Sequence, residues 1–211
     1  MTLLDFDAQF SAYLSNWIEK NRGRFKRPED MEDEVPDVYL RFLNTPADWL
    51  EGVTPGAYFD RFDDAEELCG LLTRYIKEGV PVPDPLLDRL CDLGDGQAVL
   101  RLVTDRSAPC EARMHGIELL RQMESTLPMV DYIRWQVERD EDEDLLDNAF
   151  ESLRVMGAQV RGPAKIAFAA AGQEGKEALL DVLCDYPGDD DVFAFALEQF
   201  KTQTDKRALY A

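Results

Sequence analysis

Short helical segments recur along this 211-residue chain at a nearly constant period. Four of them end in related sequences that place leucines at positions 90, 120, 153 and 183, with spacings of 30, 33 and 30 residues. A second short helical pattern lies between each segment and the next. A pair of short helices cannot bury its apolar face alone, whereas stacked pairs bury a continuous core. The spacing therefore predicts a stack of helix pairs.

The second and third segments match most closely. Residues 115–123 align with residues 148–156, and Glu, Leu, Arg and Met coincide. Alternating β-branched runs, which indicate strands, are nearly absent from the sequence. We therefore predict an all-α chain. The repeat register predicts that these residues are among the most buried: Leu90, Ile117, Leu120, Met123, Phe150, Leu153, Met156, Leu179 and Leu183.

The period, the two-helix unit and the acidic turns between helices are similar to the HEAT-like repeats of bacterial proteins, including the short-unit kind of phycobilisome-lyase-type proteins. The resemblance covers residues 64–211 and implies a right-handed α-α superhelix, a HEAT-like solenoid. Residues 1–60 do not follow the repeat, and we interpret them as an N-terminal helical cap. Residues 191–202 resemble a first helix, 203–205 a turn and 206–211 the start of a second helix. The last repeat is then truncated, and we expect further repeats beyond Ala211.

The charge of the chain limits its partners. It carries 23 basic and 43 acidic residues, for a formal net charge of −20. Nucleic acids and anionic membranes are polyanions, so we expect neither as a partner, and an acidic groove favours a basic protein partner. Lys20–Arg27 is basic and contains Phe25, which could stack on a base. Five acidic residues follow within positions 29–34, so we interpret this stretch as a solvated loop.

No residue pattern indicates a catalytic centre, a cofactor or a metal site. The chain has one histidine and four cysteines without a C-x-x-C spacing, which favours reduced core cysteines in a cytoplasmic protein. The run Asp140–Asp144 is interpreted as a solvated turn whose last acid caps the next helix. The N-terminus does not resemble a secretory signal, and no apolar run is long enough to span a membrane.

Two Glu–Arg pairs at i, i+3 spacing mark the candidate binding residues. Such pairs are weak local ion pairs in one interpretation. In the other, the HEAT resemblance implies that second helices line the concave surface, so equivalent positions form a polar ladder that grips an extended partner. The ladder predicted in this way comprises His115, Glu118, Arg121, Asn148, Glu151, Arg154 and Asp181.

Two classes of function follow. The first is a non-enzymatic protein–protein interaction or scaffold module that binds a partner segment on its acidic concave face. The second, implied by the resemblance alone, is a HEAT-like repeat enzyme, similar either to bilin lyases or to DNA glycosylases. A glycosylase needs a basic groove, and the net charge of this chain has the opposite sign.

Overall fold

All regular secondary structure is helical in the part of the chain that the computed structural model describes, residues 2–25, 27, 29–184 and 188–207. The predicted all-α class is confirmed. The chain divides into two compact units, Met1–Ala112 and Arg113–Ala211. The predicted division into a cap of residues 1–60 and repeats over 64–211 stays a prediction.

The first unit contains six α-helices and two 3-10 helices within the described residues. The α-helices are α1 (Phe6–Asn21), α2 (Glu29–Glu32), α3 (Val35–Leu43), α4 (Ala65–Glu78), α5 (Asp84–Leu93) and α6 (Gly96–Thr104), and the 3-10 helices are Asp48–Leu50 and Pro55–Arg61. Helix α3 packs on α1, α4 packs on α5 and α6, and the longer 3-10 helix contacts α3 and α5. An apolar stripe of the sequence, comprising Phe6, Phe10, Tyr13, Leu14 and Trp17, lies on α1, but only Phe6 is fully buried.

Aspartates begin several helices. The carboxylate of Asp5 accepts a hydrogen bond from the Ala8 amide at the start of α1, and Asp64 accepts one from Glu66 at the start of α4. Asp95 accepts two, from the amides of Gln97 and Ala98. Each satisfies a backbone N–H that the first helical turn leaves unpaired. Part of the acidic composition thus serves local structure.

The second unit is built around one central helix. Its helices are α7 (Cys110–Gln122), which begins three residues before the unit boundary, α8 (Met129–Glu138), α9 (Glu143–Met156), α10 (Arg161–Ala170), α11 (Gln173–Cys184) and α12 (Asp190–Arg207), with a 3-10 helix over Gly157–Val160. Helix α8 packs against α9, α10 and α11. At Gly175 on α11, an added Cβ would lie 3.1 Å from the Val137 side chain, so glycine allows this close approach.

Most of the predicted core is confirmed. Six of the nine residues are buried to 1% exposure or less: Leu90, Ile117, Leu120, Leu153, Leu179 and Leu183. Met123, Phe150 and Met156 are only half-buried. Met123 follows the last residue of α7 and Met156 ends α9, where fewer neighbours surround them. In α9 the buried face runs through Ala149 instead of the adjacent Phe150.

The predicted turn at 203–205 is wrong. Helix α12 continues without a break from Asp190 to Arg207. The sequence Gln-Thr-Asp at these positions holds neither glycine nor proline, so nothing in it forces the backbone out of the helix.

Candidate functional site

The predicted ladder lies on α7, α9 and α11, and both of its Glu–Arg pairs form. Arg121 Nη1 lies 2.8 Å from Glu118 Oε2 on α7. Arg154 Nη1 lies 3.5 Å from Glu151 Oε1 on α9, where both side chains are more than half exposed. Pairs as exposed as this second one contribute little to stability, so the side chains can rearrange at low cost.

Arg121 joins two of these helices directly. Its Nη2 donates to the backbone carbonyl of Asn148 on α9 at 3.1 Å. Its Nε donates to the Ser152 hydroxyl at 3.2 Å, and that hydroxyl donates in turn to the same carbonyl at 2.9 Å. Arg121 is therefore a structural link between α7 and α9 as well as a surface charge.

The remaining ladder residues differ in their surroundings. The Asn148 side chain donates to the Asp144 carbonyl at 2.8 Å, one turn earlier on α9. His115 is half-buried, although the helical wheel places it on the exposed side. Asp181 is exposed on α11. The structure thus brings Glu118, Arg121 and Asn148 together. The part these seven residues play in binding stays a prediction.

A cavity of about 260 Å³ opens beside Arg121 in the second unit. Its walls come from the end of α7, the 124–128 loop, the start of α8 and the end of α9. The lining residues are Ile117, Leu120, Arg121, Glu124, Ser125, Thr126, Pro128, Tyr132, Ser152, Val155, Met156 and Gln159. Apart from Tyr132, six of these twelve side chains are polar or charged, so the cavity is more polar than a typical small-ligand pocket.

Tyr132 is the unusual residue of this cavity. Its side chain is 0% exposed, and its hydroxyl has no hydrogen-bond partner among the described residues. Burial raises the pKa of the Tyr132 hydroxyl far above its ordinary value, and the nearby Arg121 charge opposes this effect only in part. The hydroxyl therefore stays protonated, as a donor, at every physiological pH. Sequence analysis missed it because a tyrosine in an apolar helical stripe resembles any core aromatic residue.

The same unit has an apolar groove between α8 and α10. Its volume is about 450 Å³, and it is lined by Val130, Ile133, Arg134, Val137, Pro163, Ile166, Ala167, Ala170 and Ala171. Val130 and Ile166 are 70% and 76% exposed, which is unusual for large apolar side chains.

The acidic run Asp140–Asp144 differs from its predicted role in two ways. Asp142 caps α9 by accepting a hydrogen bond from the Asp144 amide at 3.0 Å, so the cap is not the last acid of the run. Glu141 is not solvated, because its side chain is buried with its Oε2 2.8 Å from Arg113 Nη2.

The cysteines also correct an expectation. Cys69 is buried, and burial raises the pKa of its thiol to about 11. Cys91 and Cys110 are half-buried and Cys184 is exposed, so only Cys69 is a core cysteine. No disulfide joins these four residues, all of which are described. None of the helices in the described ranges is both long and apolar enough to cross a membrane.

Prolonged chelation is expected to leave the helical circular dichroism and the melting temperature unchanged. In the described part of the chain, no group of three or more His, Cys, Asp or Glu side chains could hold a metal ion. Thermal melts with and without a strong chelator test this expectation. A lower melting temperature that zinc or calcium restores would contradict it.

Comparisons with known protein families, with curated proteins and with solved structures give no match to this chain.

Proposed function

We propose that the protein is a non-enzymatic interaction module that binds a basic segment of a partner protein across α7 and α9, with its helix pairs stacked as in HEAT-like solenoids. The observation that carries this proposal is the contact between the two helices. Arg121 of α7 donates to the backbone of Asn148 and to Ser152 on α9. Helices α7 and α9 therefore touch at Arg121, and we take them to be equivalent second helices of neighbouring repeats.

This contact supports the ladder arrangement of the acidic side chains. Glu118 and Glu151 occupy equivalent positions, 33 residues apart, on two adjacent helices. Both carboxylates are largely exposed, and each is held by an arginine one turn later on its own helix. An extended partner that crosses both helices meets one carboxylate on each.

The charge of the chain favours a basic partner segment. A net charge of −20 attracts basic segments and repels acidic ones. Exposed charges act over a Debye length of about 8 Å at physiological salt. The affinity of the partner is therefore expected to fall as the salt concentration rises.

Reversing Glu118 and Glu151 to lysine in one variant is expected to weaken partner binding about tenfold or more, because exposed ion pairs contribute up to about 1 kcal/mol each. The measurement uses an array of Lys- and Arg-rich peptides, followed by titration of the tightest binder. A matched control reverses Asp131 and Glu138 on α8, which changes the net charge by the same amount.

Both double variants are expected to keep the unfolding free energy of the native chain to within about 0.5 kcal/mol for each substituted surface site, of which only Asp131 is half-buried. Binding that the α7/α9 reversal abolishes and the α8 reversal preserves supports recognition by the ladder. Equal losses in the two variants would show that only net charge matters. Unchanged affinity in the α7/α9 variant would leave Glu118 and Glu151 as local ion pairs.

A further inference from the structure

The cavity beside Arg121 is lined by Tyr132, whose buried hydroxyl makes no contribution that the packing of the ring requires. A phenylalanine at position 132 would fill the same space without an unsatisfied polar group. The Tyr132 hydroxyl lies within the electrostatic reach of the Arg121 guanidinium, and both residues line the cavity. Among the described residues it has no hydrogen-bond partner. A buried donor beside a cavity can be satisfied by an ordered water or by an acceptor of a bound ligand.

The charges around the cavity determine which kind of acceptor fits. The Arg121 guanidinium already faces the Glu118 carboxylate at 2.8 Å and donates to Ser152 and to the Asn148 carbonyl. The Ser152 hydroxyl is itself committed to that carbonyl. Glu124 adds a second carboxylate to the lining. An anionic ligand would meet more negative than positive charge here, so a neutral acceptor fits better.

The remaining walls determine the shape of the ligand. Ile117, Leu120, Pro128, Val155 and Met156 present aliphatic surface. The volume of about 260 Å³ is small for a ligand pocket and suits a short, branched aliphatic body. Tyr132 lines the cavity but is 0% exposed, so a wall side chain must shift before a ligand reaches its hydroxyl. Met156 is unbranched and flexible, and can move aside.

We propose that this cavity binds a small neutral ligand whose carbonyl or amide oxygen accepts a hydrogen bond from Tyr132 and whose branched aliphatic body packs on Ile117, Leu120 and Met156. This site does not depend on the proposed partner surface. Its ligand reaches a buried donor between α7, α8 and α9, whereas the partner segment would lie on exposed carboxylates.

The test uses two probes of nearly equal shape, isovaleramide and isovalerate, and protein labelled at its methionine methyl groups. The Met156 methyl resonance is expected to shift saturably with the amide, while Met31, in the first unit, does not respond. Isovalerate is expected to bind at least about tenfold more weakly, because an unpaired buried charge is costly. Tyr132→Phe is expected to weaken amide binding about tenfold or more through loss of the hydrogen bond.

A second variant closes the cavity from its exposed rim. Val155 is 66% exposed and lines the cavity, so Val155→Trp is expected to keep the fold and to abolish the Met156 shift. Three results would overturn the proposal. One is no saturable shift up to the solubility limit, which would mean that the cavity holds ordered water only. Another is equal amide affinity in wild type and Tyr132→Phe. The third is isovalerate binding as tightly as the amide.

Discussion

Replacing Glu141 with alanine is expected to lower the free energy of unfolding by about 3–5 kcal/mol, because it removes the carboxylate that faces a buried guanidinium. The Arg113 and Glu141 side chains are only 7% and 4% exposed, and their charged atoms lie 2.8 Å apart. The guanidinium carbon also lies 5.4 Å from the centre of the Trp135 ring. A cation–π contact of about 0.5–2 kcal/mol does not replace a buried counter-charge.

Two further variants separate the buried ion pair from general effects of the acidic run. Glu143→Ala removes an exposed acid two residues away and is expected to change stability by no more than about 0.5 kcal/mol. Arg113→Met combined with Glu141→Leu is expected to recover most of the loss, because an apolar pair of similar volume often replaces a buried ion pair without cost. Urea denaturation followed by circular dichroism measures all three. A Glu141→Ala variant as stable as Glu143→Ala would show that the pair is not buried in solution.

Sequence reasoning could not find this ion pair. In the run Asp140–Asp144 every residue is acidic, and nothing in the run itself distinguishes the acid that turns inward. The partner, Arg113, lies far away in the sequence and comes close only through the packing of the second unit. Local rules predict a solvated turn with a helix cap. The predicted helix cap exists and is Asp142, but the prediction that the whole run is solvated is wrong for Glu141.

The helices themselves were predictable because their signals are local. Apolar spacing indicates helices at 66–77, 97–105, 129–139 and 163–171, and helices α4, α6, α8 and α10 lie there. The exact buried face was harder to predict. The sequence alignment of the second and third repeat segments pairs Phe150 with the buried Ile117. In the structure, however, the buried face of α9 contains Leu146, Ala149 and Leu153. Residues spaced three and four apart lie on one face of a helix, and packing against neighbouring helices determines which face is buried.

The candidate site also has one part that the local sequence predicts and another that depends on tertiary packing. The i, i+3 spacing predicted the ion pairs Glu118–Arg121 and Glu151–Arg154, since residues three apart meet on a helix surface. The bonds from Arg121 to Ser152 and to a backbone carbonyl of another helix depend on tertiary packing. The sequence did contain one sign that Ser152 has a polar partner. Ser152 aligns with Leu119, in a repeat segment whose other buried positions are apolar.

Replacing Leu153 with alanine is expected to cost about 2–5 kcal/mol, the range for a buried leucine truncated to alanine. Leu153 is 1% exposed and closes the third repeat segment. Val155→Ala on the same helix, where the side chain is 66% exposed, is the matched control and is expected to stay within about 0.5 kcal/mol of the native chain. The result also bears on the ladder, because Glu151 and Arg154 are exposed on the same helix whose buried face includes Leu153. A loss below about 0.5 kcal/mol for Leu153→Ala in urea denaturation would place Leu153 outside the core. The register of α9 that makes Glu151 equivalent to Glu118 would then be wrong.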